Sequence, residues 1–220
     1  MLLDSHVRPQ ITPFDVIDQF PEGWQEDIRA IAADADFRDF PRTPILSREA
    51  ADVTYVTRGR VHAIQVQQRL PWLYKMYRDQ FLDLVRQTWD EPIEPAVDDR
   101  YGVVLNVLRG SKMRFECHID SNPVTGLLFF TSHPAGGGEL VIGHDPEGVG
   151  VGKLEEDCTA VLPQAGRLII FDGHTYPHYA RSLTSESDVR VVAVMNFYTE
   201  SHPESIRPPA LNRHLFGDRN

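Results

Sequence analysis

Two histidines and an aspartate are spaced so that they can hold one metal ion. His118 and Asp120 stand one residue apart, at the end of the β-rich run that begins at Lys112. Residues i and i+2 of a strand point to the same side, so both side chains can face one ion. His178, which begins a later β-rich run, is the predicted third ligand, and His174 is its alternative. Two histidines and one carboxylate form a ligand set for Fe(II) that leaves coordination positions open.

Arg190 adds a carboxylate-binding group to this set. It stands twelve residues beyond His178, at the start of the last β-rich run. A buried arginine there can form a forked pair of hydrogen bonds with the distal carboxylate of 2-oxoglutarate, which its planar guanidinium suits better than lysine does. A surface ion pair with Glu186 or Asp188 is the alternative. Arg190 and the three predicted ligands together favour a metal site with a keto acid beside it.

The second part of the chain has the pattern of strands, which can position these residues. After Asp99, eight short β-rich runs are separated by glycine, proline and polar clusters. Short strands without intervening helices predict an antiparallel sandwich or jelly roll, and not a parallel α/β sheet. The runs are Tyr101–Arg109, Lys112–His118, Thr125–Thr131, Glu139–Ile142, Cys158–Leu162, Arg167–Phe171, His178–Leu183 and Val189–Tyr198.

The first hundred residues are predicted to be helical. Apolar residues recur at helical spacing from Pro21 to Ala35 and, more strongly, from Gln68 to Trp89. Such a stripe ordinarily packs on a core, so we expect these helices to brace the sheet. The tail after Thr199 is interpreted as a lid, a homodimer contact or a frayed end. We thus predict a single domain, mainly β with N-terminal helices, divided into helical support (1–99), β core (100–199) and tail (200–220).

The composition limits the partners and the compartment. A formal net charge of -10 repels phosphate backbones and anionic lipid, so neither a nucleic acid nor a membrane is expected as a partner. Cys117 and Cys158 make no disulfide framework, and the N-terminus has no signal-peptide pattern. No stretch approaches the roughly 18 apolar residues that a membrane span needs. These features predict a cytoplasmic protein.

Taken in order, the motifs from Tyr101 to Tyr198 resemble those of the 2-oxoglutarate/Fe(II) oxygenases of the prolyl-4-hydroxylase type. The resemblance implies a double-stranded β-helix (jelly-roll) fold that binds Fe(II), 2-oxoglutarate and O₂. It also implies hydroxylation of a substrate C–H bond with release of succinate and CO₂. The residues that carry it are His118-Ile119-Asp120, Val124 to Phe130, Gly137-Gly138-Glu139-Leu140, Pro163 to Phe171, His178 and Arg190.

Three positions depart from that family's pattern around the keto acid. Leu108 and Phe129 stand where relatives carry a tyrosine, and Val192 stands where many carry a serine. The hydroxyl group that would assist Arg190 must then come from elsewhere. The candidates for contact with 2-oxoglutarate besides Arg190 are Thr125 and Thr131, which share a face with Phe129, and Asn106.

Several further charged residues are candidates for binding the substrate. Arg114 and Glu116 would share the inward face of His118, where they neutralise each other, sit at a bulge or hold a charged substrate. Arg58, Arg60 and His133 are further candidates, of which the two arginines would reach a substrate carboxylate. We therefore expect a small-molecule substrate, a free amino acid or a derivative. The alternatives are a peptidyl hydroxylase, desaturation or ring formation by the same chemistry, and a non-catalytic jelly-roll module that binds metal or 2-oxoglutarate.

Overall fold

The computed structural model describes residues 8–216, which form eleven strands and six α-helices. The strands are β1 (Ile11–Asp15), β2 (Asp36–Pro41), β3 (Tyr55–Val61), β4 (Ile93–Pro95), β5 (Val103–Arg109), β6 (Val124–Phe129), β7 (Leu140–Gly143), β8 (Cys158–Val161), β9 (Arg167–Phe171), β10 (His178–Ala180) and β11 (Val189–Thr199). The helices are α1 (Trp24–Ala33), α2 (Ala63–Arg69), α3 (Pro71–Met76), α4 (Leu82–Arg86), α5 (Val151–Leu154) and α6 (Pro209–Phe216). A π-helical turn at Tyr77–Phe81 joins α3 to α4.

The strands form two antiparallel sheets of unequal size. The larger has the order β1-β9-β6-β11-β5-β3-β2, with β4 also paired to β11, and the smaller has the order β10-β7-β8. The long strand β11 lies at the centre of the larger sheet, where Val192 pairs with Asn106 of β5 and with Phe129 of β6. The predicted class, mainly β with helices near the N-terminus, is confirmed.

Alternation along β11 separates the two faces of the larger sheet. Val191, Ala193 and Met195 join the core cluster that includes the apolar side chains of α1 to α4. Val192, between them, joins the cluster formed with the smaller sheet. Successive strand residues point to opposite faces, so one face carries the helices and the other faces the small sheet and the cavity between them.

Seven of the eight predicted β-rich runs contain a strand, and both predicted helical segments contain helices. The first hundred residues are less helical than predicted, because β1 to β4 also lie there and extend the larger sheet. β2 has the sequence Asp-Phe-Arg-Asp-Phe-Pro and is largely exposed at the end of the sheet order. Aspartate and proline are depleted in strands, so its local pattern is a weak strand signal.

The run Lys112–His118 was predicted as a strand, and this prediction is wrong. Residues 113–117 are irregular, and His118 alone pairs in strand fashion, with Ser47 on one side and His178 on the other. A side chain replaces a backbone partner here, because the Cys117 N–H donates to the Glu49 carboxylate at 2.7 Å. That bond interrupts the pairing on the Ser47 side, while on the other side the Phe115 N–H still donates to the Ala180 carbonyl at 3.1 Å.

The tail packs back onto the domain over its described part. Helix α6 places Leu211 in a cluster with Tyr101 and Tyr198, and the Tyr101 hydroxyl donates to Asn212 Oδ1 at 2.6 Å. Residues 217–220 of the predicted tail and residues 1–7 of the segment searched for a signal peptide lie outside the described range. Within residues 8–216, no helix is long and apolar enough to cross a membrane. A lid or homodimer role for the tail stays a prediction.

Candidate metal centre and its cavity

His118, Asp120 and His178 converge as predicted. Their ligand atoms lie within 4.8 Å of one another. The His118 Nε2 atom is 3.2 Å from Asp120 Oδ1, and the His178 Nε2 atom is 3.4 Å from Asp120 Oδ2. The two imidazole rings have centroids 4.5 Å apart. Two imidazole nitrogens and a carboxylate at these separations form a donor set suited to a first-row divalent metal.

Backbone hydrogen bonds bring the two histidines together from distant parts of the chain. The His118 N–H donates to the His178 carbonyl at 3.0 Å, and the His178 N–H donates to the His118 carbonyl at 2.9 Å. The Nδ1 atom of His118 lies 2.8 Å from the Glu116 carbonyl, and that of His178 lies 3.0 Å from the Tyr176 carbonyl. A proton on each Nδ1 leaves Nε2 free as the metal-binding atom, directed at Asp120.

Thr125 and Gly173 position the carboxylate of Asp120. The Thr125 hydroxyl donates to Asp120 Oδ2 at 2.5 Å and itself accepts from the Asn122 amide at 3.0 Å. The Asp120 N–H donates to the Gly173 carbonyl at 2.7 Å, and a Cβ atom at Gly173 would overlap with Asp120 Oδ2. Glycine is therefore required where this loop passes the carboxylate. Thr125 was predicted to assist the keto acid, whereas its hydroxyl is bonded to the metal-binding carboxylate.

The histidines and Asp120 shift each other's proton affinity, which is resolved for Asp120 and His118. Burial alone would raise the pKa of Asp120, but His178 and His118, through their charges and hydrogen bonds, hold it well below its usual value. Burial alone would lower the pKa of His118, but the hydrogen bond and charge of Asp120 outweigh burial and raise it. The carboxylate is thus ionised at neutral pH, which a metal ligand requires.

His174, the alternative third ligand, lies outside this group. Its Nδ1 atom is 3.0 Å from the backbone carbonyl of Asp120, and its ring contacts that of His202 at a tilt, with centroids 5.3 Å apart. It supports the loop beside the ligands and does not belong to the set of converging donor atoms.

Arg190 is buried in the same cavity, with 2% of its surface exposed. Its guanidinium carbon lies 5.4 Å from the centre of the Phe129 ring, and a Cβ atom at Gly138 would come within 2.8 Å of its Cδ. Among the described residues, no carboxylate lies within ion-pair distance of Arg190, and its Nε and Nη2 atoms have no hydrogen-bond partner. Burial, opposed in part by Glu139, lowers its pKa to about 9. The alternative for Arg190, a surface ion pair with Glu186 or Asp188, is absent among the described residues.

The cavity brings some of the predicted residues together and leaves others out. Arg58, Arg60, Asn106 and Glu116 line it together with the metal-binding group and Arg190. Thr131 and His133 instead line a separate depression on the surface. The Thr131 hydroxyl accepts from the Val191 N–H at 3.2 Å, which differs from its predicted contact with the keto acid.

Arg114 and Glu116 have partners that the sequence did not indicate. Arg114 makes a two-pronged ion pair with the buried Glu49. Glu116 accepts from the Thr43 N–H at 2.8 Å and from its hydroxyl at 2.6 Å. Of the alternatives for these two residues, mutual neutralisation is therefore wrong. Thr43 and Glu49 lie in the segment predicted to be helical, and no local pattern marks them as partners of residues far along the chain.

Comparison with known proteins shows a shared fold. No family model matches the chain. No curated protein matches it. Among solved structures, SnoN, a non-haem α-ketoglutarate-dependent epimerase from nogalamycin biosynthesis, is 10% identical with a TM-score of 0.60, over 87% of this chain and 78% of SnoN.

Two further solved structures have comparable similarity. AviO1 from Streptomyces viridochromogenes Tue57 is 16% identical with a TM-score of 0.60, over 89% of this chain and 92% of AviO1. A 2OG-Fe(II) oxygenase family oxidoreductase from Burkholderia pseudomallei is 13% identical with a TM-score of 0.54, over 86% of this chain and 84% of that one. At these identities the likeness establishes the fold, and the predicted jelly roll is confirmed.

Proposed function

We propose that this chain is a 2-oxoglutarate- and Fe(II)-dependent oxygenase. The observation that carries the proposal is a pair of binding groups in one cavity. Three metal-binding side chains converge at the first site, and the buried, unpaired Arg190 marks the second. The fold is shared with structures described as 2OG-Fe(II) and α-ketoglutarate-dependent enzymes. The prolyl-4-hydroxylase subtype stays a prediction.

The residues fit both groups. His118, Asp120 and His178 would hold Fe(II), because their donor set is that of non-haem iron oxygenases. Arg190 would bind the distal carboxylate of 2-oxoglutarate, since a buried guanidinium without a counter-ion is costly and a carboxylate offsets that cost. When bound, iron and keto acid supply oxidising chemistry with O₂. The chain's own share is to position the reactants and to exclude water with the apolar lining.

For the reaction, we propose hydroxylation of a C–H bond in a small molecule, an amino acid or another organic acid. The cavity opens beside the metal group and is lined by side chains of one domain. Because one similar fold belongs to an epimerase, desaturation, ring formation and epimerisation are alternative outcomes of the same site. The position of the substrate's C–H bond relative to the metal decides among them.

The test uses the purified chain without oxygen. Fe(II) and 2-oxoglutarate added together should produce a metal-to-ligand charge-transfer band. The Arg190→Met variant should weaken 2-oxoglutarate binding by about 10-fold or more, because a charged hydrogen-bond donor is lost. The matched control is Arg109→Met, at an exposed arginine whose neighbour across the sheet is Val189, beside Arg190. Absence of the band in the unmodified chain would refute the cofactor assignment.

Admission of oxygen then separates the substrate classes. Succinate is measured across panels of small organic acids, amino acids and peptides. Succinate formed only with a small acid supports the proposed reaction, and the product's mass distinguishes hydroxylation from desaturation or epimerisation. Succinate formed only with peptides would favour the peptidyl hydroxylase. A band without succinate from any panel would favour a binding module.

A further inference from the structure

A second pair of buried cations lies in the cavity, apart from the metal group and Arg190. Arg58 and Arg60 alternate along β3, so their side chains share a face of the sheet. Both side chains line the cavity, and they are 4% and 5% exposed. Two guanidinium groups thus face the space in which the proposed function places its substrate.

The described part of the chain gives neither guanidinium a counter-ion. Within residues 8–216, no carboxylate lies at ion-pair distance from Arg58 or Arg60. The Arg58 Nε atom has no hydrogen-bond partner there, and Nη1 donates a long 3.4 Å bond to Asn106 Oδ1. Burial, aided by the charge of Arg60, lowers the pKa of Arg58 to about 9. Burial also lowers the pKa of Arg60, to about 10.

The arginines around this pair have carboxylate partners. Arg38, directly across from Arg58 on β2, pairs with Asp36 at 3.0 Å, and Arg100 at the cavity rim pairs with Asp98 at 2.8 Å. Both are exposed, where an ion pair contributes little. The buried cations, for which a counter-charge matters most, are the ones that lack it. This contrast points to an anion that the protein chain does not supply.

The nearest acidic side chain does not fill that role. Glu116 attracts Arg58 electrostatically, but it lies beyond ion-pair distance, and both of its oxygens accept hydrogen bonds from Thr43. Besides Asp120 of the metal group, Glu116 is the acidic residue among the described cavity lining. An ammonium group of a substrate therefore has one already engaged carboxylate to bind, whereas an anion has two guanidiniums that lack a carboxylate partner among the described residues.

The pair is separate from Arg190 and close to the metal group. Arg60 lies across from Asn106 on β5, and Asn106 lies across from Val192 on β11, the strand of Arg190. Strands β3 and β11 are two spacings apart, about 10 Å. The Phe115 ring is 4.4 Å from the Arg58 guanidinium carbon and 5.1 Å from the His118 ring. One aromatic ring thus separates the cation from the metal ligands.

Charge balance favours a substrate with a single negative charge. Three buried guanidiniums and two carboxylates line the cavity, which leaves one positive charge in excess. Fe(II) and the 2-oxoglutarate dianion cancel each other and do not change that excess. One substrate carboxylate neutralises it, and the remaining walls are largely apolar, among them Leu46, Ile119, Val194, Leu211 and Leu215.

We propose that Arg58 and Arg60 bind the carboxylate of a small organic-acid substrate whose apolar carbon skeleton reaches past Phe115 toward the metal. The inference deepens the proposed function and rests on it, because it assigns the substrate class of that same site. The two arginines bind and position the substrate. They take no part in holding the metal or the keto acid.

The test measures, by calorimetry, how tightly hexanoate binds to the purified full chain carrying Arg190→Met. This substitution is present in every sample, so that Arg190 cannot bind the probe. Hexanoate should bind about 10-fold or more tightly than hexanamide, which lacks the charge. The added Arg58→Met and Arg60→Met substitutions should abolish that preference. Arg38→Met, the matched control on the neighbouring strand, should leave it unchanged.

The outcomes distinguish this inference from the proposed function. Equal binding of hexanoate and hexanamide, or an unchanged preference without Arg58 and Arg60, would overturn the subsite even where the charge-transfer band is present. A missing band with an intact preference would overturn the proposed function alone. Tighter binding of hexyl phosphate than of hexanoate would overturn the carboxylate assignment. If the protein with both added substitutions, Arg58→Met and Arg60→Met, does not fold, Arg60→Met alone is tested by the same comparison of hexanoate with hexanamide.

Discussion

The hydrogen bond from Thr125 to Asp120 allows two roles of the Thr125 hydroxyl to be distinguished: support of the Asp120 carboxylate and contact with 2-oxoglutarate. The sequence suggested Thr125 as a partner of the keto acid, whereas the structure bonds its hydroxyl to Asp120 Oδ2 at 2.5 Å. Thr125→Val removes the hydroxyl and nearly preserves the shape of the side chain. We expect the variant to bind the metal more weakly and to leave the proposed contact of Arg190 with 2-oxoglutarate unaffected.

The size of the effect follows from the kind of bond. A hydrogen bond to a charged group contributes about 1.5–3 kcal/mol, and outer partners of metal ligands are worth about 10- to 100-fold in metal affinity. Thr125 is buried, so water does not readily replace its hydroxyl. The Asn122 amide keeps its second bond, to the Val124 carbonyl at 2.8 Å, so the loop retains an anchor. We therefore expect Co(II) affinity to fall by about 10- to 100-fold.

The first assay is a calorimetric titration of the purified chain with Co(II). The second measures the KM for 2-oxoglutarate of the chain loaded with Fe(II). Thr57→Val is the matched control, because Thr57 also donates to an aspartate, Asp39 Oδ1 at 2.6 Å, but this exposed bond joins β3 to the outermost strand β2. It should leave Co(II) affinity unchanged. If Thr125→Val keeps its Co(II) affinity and raises the KM for 2-oxoglutarate, the hydroxyl serves the keto acid and our reasoning is refuted.

Two further predictions concern stability and reactivity. The buried Tyr77 hydroxyl donates to the Asn196 carbonyl and accepts from the Ala96 N–H, both at 2.7 Å, so Tyr77→Phe should lower the free energy of unfolding by about 1–3 kcal/mol in denaturant titrations. A loss under about 0.5 kcal/mol would contradict that pairing. Burial raises the pKa of Cys117 to about 12, so the thiol stays protonated at pH 8. A thiol reagent at pH 8 should therefore label the half-buried Cys158 first and Cys117 only on unfolding, and equal rates would contradict its burial.

The three residues of the candidate metal site could be predicted because their signals are local. His118 and Asp120 satisfy the i, i+2 rule, and His178 begins a strand that sequence pattern alone identified. The residues between 112 and 117 did not form the predicted strand, yet the geometry of the pair survived. The reason is that His118 itself is held on both sides, by Ser47 and by His178, in strand-like bridges.

Strands β2 and β3 and the partners of Arg114 and Glu116 could not be predicted, because the contacts that determine them are made by residues far away in the sequence. β2 and β3 pair with each other, and β3 joins β5 through Gly59, Arg60 and Val61. Such pairings depend on tertiary contacts, and β-propensity alone is weak at exposed edges. Glu49 and Thr43 each satisfy a charged residue more than sixty positions later in the chain. No periodicity within one segment encodes such a contact.

The charged candidates differ in whether the structure gives them an ion-pair or hydrogen-bond partner within the described chain. From the sequence, Arg58, Arg60, Arg114 and Glu116 were equivalent candidates for substrate binding. Arg114 forms an ion pair with Glu49, and Glu116 accepts a hydrogen bond from Thr43. Both residues therefore stabilise the fold beside the candidate metal site. Removing a partner from a satisfied pair leaves an uncompensated buried charge, whereas removing an unpaired buried cation relieves a cost. Arg114→Met should therefore destabilise the fold, while Arg58→Met should not, and thermal unfolding of the two variants compares the roles directly. Equal losses of stability would mean that Arg58, too, has a structural partner within the chain.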